Sequence, residues 1–139
     1  MNESLLYLFG AILIVAALLL AVTTLSKSGA KKLNVEQYRS RWLKIERQLK
    51  KDDPASYHLA ILNADKLLDL ALKESGIKGE TMGERLKLAK DVFSNRNAIW
   101  SAHKLRNQIA HETDVVVSFD QARRSLASFK RALKDLGAI

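Results

Sequence analysis

The chain has 139 residues, 23 Lys and Arg against 15 Asp and Glu, no Cys, and a formal net charge of +8. That length suits one small domain with a modest core; the lack of cysteine fits a reducing compartment and removes thiolates from any metal site. The charge is unevenly placed: every Lys and Arg follows residue 26, so the chain divides into two physical regimes.

The first regime is Leu5 to Leu25, an uncharged run dominated by Leu, Ala, Ile and Val. As a helix it spans roughly 31 Å, about the thickness of bilayer hydrocarbon. A cleaved secretory signal has a basic leading segment and a short apolar core. Here Met1-Asn2-Glu3-Ser4 has no basic residue and the apolar run is long, so residues 1–26 read as a transmembrane anchor. Between Lys27 and Lys51, nine basic residues, beginning with the juxtamembrane Lys27, Lys31 and Lys32, stand against only Glu36 and Glu46. Basic flanks stay on the cytoplasmic side, so the expectation is a single-pass protein with a cytoplasmic C-terminal domain. The same charge suits anionic lipid headgroups, with a phosphate-binding stripe for nucleic acid as the sharper alternative. Residues 52–139 are nearly balanced, with 14 basic and 12 acidic residues.

After a basic connector over residues 27–34, apolar residues recur at Val35, Tyr38, Trp42, Ile45 and Leu49, an amphipathic helix. Asp53 as N-cap with Pro54 at the first position opens the next helix, whose apolar arc runs from Tyr57 to Leu72 and which Gly76 closes. Thr81 with Glu84 makes a capping box for a third helix reaching about Phe93; Ser94-Asn95-Arg96-Asn97 interrupts, and a fourth helix runs to about Glu112. Thr113 to Val117 is β-branched but has no partner strand and reads as a loop. Ser118 with Gln121 caps a last helix with its stripe on Ala122, Leu126, Phe129, Leu133 and Leu136. The fold class is therefore all-α: an antiparallel bundle of about five helices over residues 35–139, preceded by one transmembrane helix.

Few constellations carry chemistry. The three histidines, His58, His103 and His111, have no metal-ligand spacing, and His58 and His103 read as ordinary helix residues. Gly76, Gly79 and Gly83 match no phosphate-loop pattern, and no cofactor is implied. Trp42 and Trp100 read as core or dimer contacts. The exception is Leu105 to Glu112. On a helix, Ile99, Ala102, Leu105, Ile109 and Ala110 form one apolar arc, and Arg106 falls inside it. A guanidinium cannot lose its proton, and burying it alone is costly, so Arg106 needs a carboxylate, a phosphate or a wet cleft. Asp65, at the edge of the arc of the second soluble helix, is the best partner; Asp69, about 40° further toward solvent, is second. Asn107 and His111, four apart, share the neighbouring face.

The run Arg106-Asn107-Gln108-Ile109-Ala110-His111, with Ala64-Asp65-Lys66-Leu67-Leu68 as an acidic position on an early core helix, resembles the HEPN superfamily of helical domains, many of which are RNases. The likeness covers about residues 35–136. Asp65 stands where Glu is more usual, and the N-terminal anchor is an addition to the common form. The resemblance implies metal-independent RNA cleavage in a homodimer whose two motifs form one composite cleft. An imidazole such as His111 exchanges protons near neutral pH, a guanidinium such as Arg106 holds a phosphate bidentately, and the Asn107 amide positions ribose or phosphate. Asp65 is the supporting acid. Two other readings stay open. A structural Arg106–Asp65 ion pair, with Asn107 and His111 capping a helix end, has the same sequence. So does a non-catalytic scaffold, or a module binding RNA or another partner at the membrane face. The catalytic reading requires Arg106 and His111 to share a solvent-reachable cleft.

Overall fold

A computed structural model describes residues 2–26 and 31–139; Lys27 lies outside the described residues. They form two compact units, which divide between residues 30 and 31. The first holds helix α1 (Glu3–Ser26). Its stretch Glu3–Val22 is long and apolar enough to cross a membrane, with none of that window buried against protein. Leu5 and its neighbours are exposed, and Leu25 lies on the same helix by its backbone.

The second unit holds α2 (Val35–Gln48), α3 (Pro54–Glu74), α4 (Met82–Leu88), α5 (Arg96–His111) and α6 (Phe119–Asp135), with no strand among the described residues. The all-α bundle behind one apolar helix is thus what the patterning predicts. Lys31 and Lys32 are exposed, while Leu33, inside the expected connector, is buried in the core. α3 is the central helix and packs on all four others. Its Ile61, Leu68 and Leu72 are 0% exposed, each contributing roughly 1.5–3 kcal/mol by burial. α2 and α3 run antiparallel: the Tyr38 hydroxyl at the start of α2 donates to Glu74 at the end of α3 (2.8 Å), and Asn63 donates to Gln48 (2.9 Å). α5 and α6 do the same, with Ser94 ahead of α5 donating to Asp135 at the end of α6 (2.8 Å). The starts of α3 and α6 meet where Tyr57 packs on Phe119.

Local signals explain most boundaries. Asn34, Thr81, Asn95 and Ser118 each accept from a backbone N–H of the first turn, and Ser118 with Gln121 forms the full reciprocal box. After α3, Ile77 N–H reaches back to Leu72 O (3.1 Å), a closure that places Gly76 at φ +81°, open to glycine without strain. Three details differ from expectation. Glu84 accepts from the Glu80 N–H rather than from Thr81, so Thr81 makes only half of the expected capping box. Asp53 is the N-cap of α3 but makes no side-chain cap; Ser56 Oγ instead bonds the backbone of Lys50 and Asp53. The helix expected to reach about Phe93, α4, stops at Leu88. Lys90 and Val92 make tighter i→i−3 bonds to Lys87 and Ala89, and the chain turns so that Ala89 and Phe93 are both buried while Leu88 and Val92 face solvent.

Candidate functional site

α3 presents Asp65 and Asp69 four residues apart, hence on one face. α5 presents His103, Arg106 and Asn107 at spacings of three and four, also one face. Together with α4 these two faces line a cleft of about 890 Å³, whose walls include Leu62, Lys66, Arg85, Trp100 and Lys104.

At its floor Asp65, 3% exposed, holds two side chains from α5. Its Oδ1 lies 2.8 Å from His103 Nδ1 and its Oδ2 3.2 Å from Arg106 Nε. The second contact is an ion pair by distance but not an aligned hydrogen bond, because the buried Nε–H points off the line to the carboxylate. Arg106 Nη1 donates to Asn107 Oδ1 (2.9 Å), and Asn107 Nδ2 lies 3.2 Å from His103 Nε2. The four side chains close a ring. The Arg106 side chain remains 34% exposed, and Nη2 makes no hydrogen bond among the described residues. Trp100, half-buried, sets its ring 5.9 Å from His103, with Lys87 Nζ 6.0 Å from the indole centre.

One turn along α3, Asp69 accepts from Arg85 Nε (2.7 Å) and pairs with Lys73 (2.9 Å). Arg85 also donates to Gly79 O, pinning the loop ahead of α4. A Cβ on Gly79 would sit 3.0 Å from the Arg85 side chain, so the loop comes this close only because the residue is glycine. Burial alone would raise the Asp69 pKa; hydrogen bonds from Arg85 and Lys73 outweigh it and hold the carboxyl below its ordinary value. Lys66 and Lys104 are exposed in the cleft walls and carry no ion pair among the described residues.

Of the residues singled out in the sequence, Asp65, Arg106 and Asn107 come together and His111 does not. α5 stays helical to His111, so five residues of rotation leave its side chain about 140° from Arg106. His111 is exposed and lines no part of the cleft. Ala110, expected in the apolar arc, is exposed as well, while Ile109 beside it packs against the core. Asp69, the second-choice partner of Arg106, is taken by Arg85 and Lys73. His103, expected to be an ordinary helix residue, is 7% exposed and bonded into the ring. Its signal was present: it stands three before Arg106 and four before Asn107, so the face that carries them carries it too. Among the described residues no three His, Asp or Glu side chains converge as a metal ligand set. The chain matches no protein-family model, no curated protein and no solved structure.

Proposed function

We propose that this chain is a membrane-anchored, HEPN-like endoribonuclease that cleaves RNA by attack of a ribose 2′-OH on the adjacent phosphate, its active cleft completed by a second copy. The observation that carries the reading is Arg106: a guanidinium anchored from behind by Asp65 and Asn107 yet one-third exposed in a cleft with the exposed Lys66 and Lys104. Such a fork is preorganised for a phosphate and for the charge that builds on it in the transition state. The imidazole of His111 removes the 2′-OH proton, the 2′-oxygen bonds to phosphorus, the 5′-oxygen leaves and gains a proton, and the products are a 2′,3′-cyclic phosphate and a 5′-hydroxyl. Because one chain keeps Arg106 and His111 on different faces of α5, the imidazole is supplied by the partner in a homodimer. α1 crosses the membrane, and the basic residues behind it hold the domain on the cytoplasmic side; a C-terminal reporter active only outside the cell removes that topology.

Full-length protein in detergent micelles, given single-stranded RNA and chelator, is expected to yield cyclic-phosphate ends, to spare RNA with blocked 2′-hydroxyls, and to lose activity on His111→Ala. Mixing inactive Arg106→Ala and His111→Ala chains is expected to restore part of it, since one composite cleft of the mixed dimer keeps both groups. A second reading, a non-catalytic scaffold at the membrane, is favoured by the placement of His111 outside the cleft. It takes the lead if the folded, dimeric protein leaves a broad RNA pool intact.

A further inference from the structure

We propose that His103, in its Nδ1–H tautomer, is the positioning residue that sets the plane of the Arg106 guanidinium. The inference rests on the reading of Arg106 as an anion-binding group and names what orients it.

The direction of every bond in the ring follows from its two ends. Arginine has only donors, so Asn107 must turn Oδ1 toward Arg106 Nη1, 2.9 Å away. That leaves Nδ2, also a donor only, facing His103 Nε2 at 3.2 Å, and Nε2 must accept. From the other end, the Asp65 carboxylate offers only acceptors, so His103 Nδ1, 2.8 Å from Oδ1, carries the hydrogen. Both arguments reach the same neutral tautomer. The alternative one sets the Nδ1 lone pair against a carboxylate oxygen, and turning the amide to suit it sets the Asn107 NH₂ against the Arg106 donors. The imidazole is thus a rigid spacer between Asp65 and Asn107, at 3% and 7% exposure for Asp65 and His103, where solvent does not compete for the bonds. An Asp65–Arg106 ion pair alone fixes distance but not rotation, all the more because Arg106 Nε–H is off the line to Oδ2. The route through His103 and Asn107 holds Nη1 and thereby the plane, leaving Nη2 for the ligand.

The test uses the full chain, ¹⁵N-labelled, in detergent micelles. Imidazole ¹⁵N spectra of the wild type are expected to show His103 with hydrogen on Nδ1, and the Arg106 Nε–H signal to be sharp and slow to exchange. Inorganic phosphate is expected to shift that signal saturably. His103→Phe removes both ring contacts and is expected to broaden the Arg106 signal and to weaken phosphate binding on the order of tenfold, the loss of about one hydrogen bond. In His103→Asn the amide nitrogen can replace the Nδ1 donor to Asp65 but not the Nε2 acceptor; it is expected to recover the unfolding midpoint while Arg106 stays loose. Asn107→Ala, at a half-buried position, is expected to loosen Arg106 in the same way. A hydrogen on Nε2 in the wild type overturns the proposal. So does a sharp, unchanged Arg106 signal in folded His103→Asn and Asn107→Ala. If the wild type ignores phosphate, the anion-binding reading of the cleft fails, while the tautomer and the Arg106 signals still decide whether His103 positions it.

Discussion

Two carboxylates one turn apart on α3 each hold an arginine, and the two pairs do opposite things. Asp69 is the more exposed acid (side chain 18%) and Arg85 the buried base (6%), whose Nε and Nη1 donate to the carboxylate and to Gly79 O. Asp65 is the buried acid (4%) and Arg106 the more exposed base (34%), whose Nη2 makes no hydrogen bond among the described residues. The first pair closes a loop; the second offers a cation to the cleft. An arginine available for a ligand is recognised not by being ion-paired, since both are, but by which partner faces water. The buried acid supplies the anchoring that lets a one-third-exposed guanidinium keep one geometry.

The sharpest way to break this contrast is to remove the buried acid. Asp65→Ala is expected to destabilise the second unit by about 3–5 kcal/mol, because it strands Arg106 and the His103 Nδ1–H together. Unfolding of the full chain in micelles, followed by tryptophan fluorescence, measures it, since Trp42 and Trp100 both lie in the second unit. Replacing the ion pair with apolar residues, Asp65→Leu with Arg106→Met, is expected to recover only part of the loss, and adding His103→Leu to recover more. Full recovery by the double change would show that His103 makes no demand on Asp65.

Arg85→Met comes next, at about 2–3 kcal/mol, less than the Asp65 change because Asp69 keeps Lys73 and some water. It is expected to free the loop over residues 77–80 from hydrogen-exchange protection while leaving the Arg106 signals in place. Loss of both together would mean the two pairs are one unit.

The smallest effect is a pH dependence. The folded pKa of Asp69 is held down, so its contribution is complete above the ordinary carboxylate value near 4, and is lost as pH falls through the lower folded value. Asp69→Asn is expected to lie below the wild type by a constant margin at neutral pH, with the margin closing under about pH 4. A margin that does not change on acidification would show that the Asp69 pairing contributes nothing through charge.

Much of this architecture is legible in one dimension because its causes are local. Gly76, Thr81 and Ser118 mark helix ends through bonds within a few residues and Pro54 by its fixed φ, and the stripes at Tyr38, Trp42 and Ile45 or at Ala122, Leu126, Phe129 and Leu133 name the faces that are buried. The pairing of Arg106 with Asp65 was also accessible, since a cation inside an apolar arc demands a carboxylate and the arc of α3 offers one at its edge. Three things depended on how helices meet. The end of α4 was set by the turn that buries Ala89 and Phe93, not by any breaker in the chain. Asp69 went to Arg85 because the loop before α4 brings that arginine onto α3. His103 became part of the site because α5 lies against α3 at the level of Asp65. Helical periodicity says which residues share a face; the register and rotation of one helix on another, set by packing across the core, decide which of those faces touch and which polar groups close a ring.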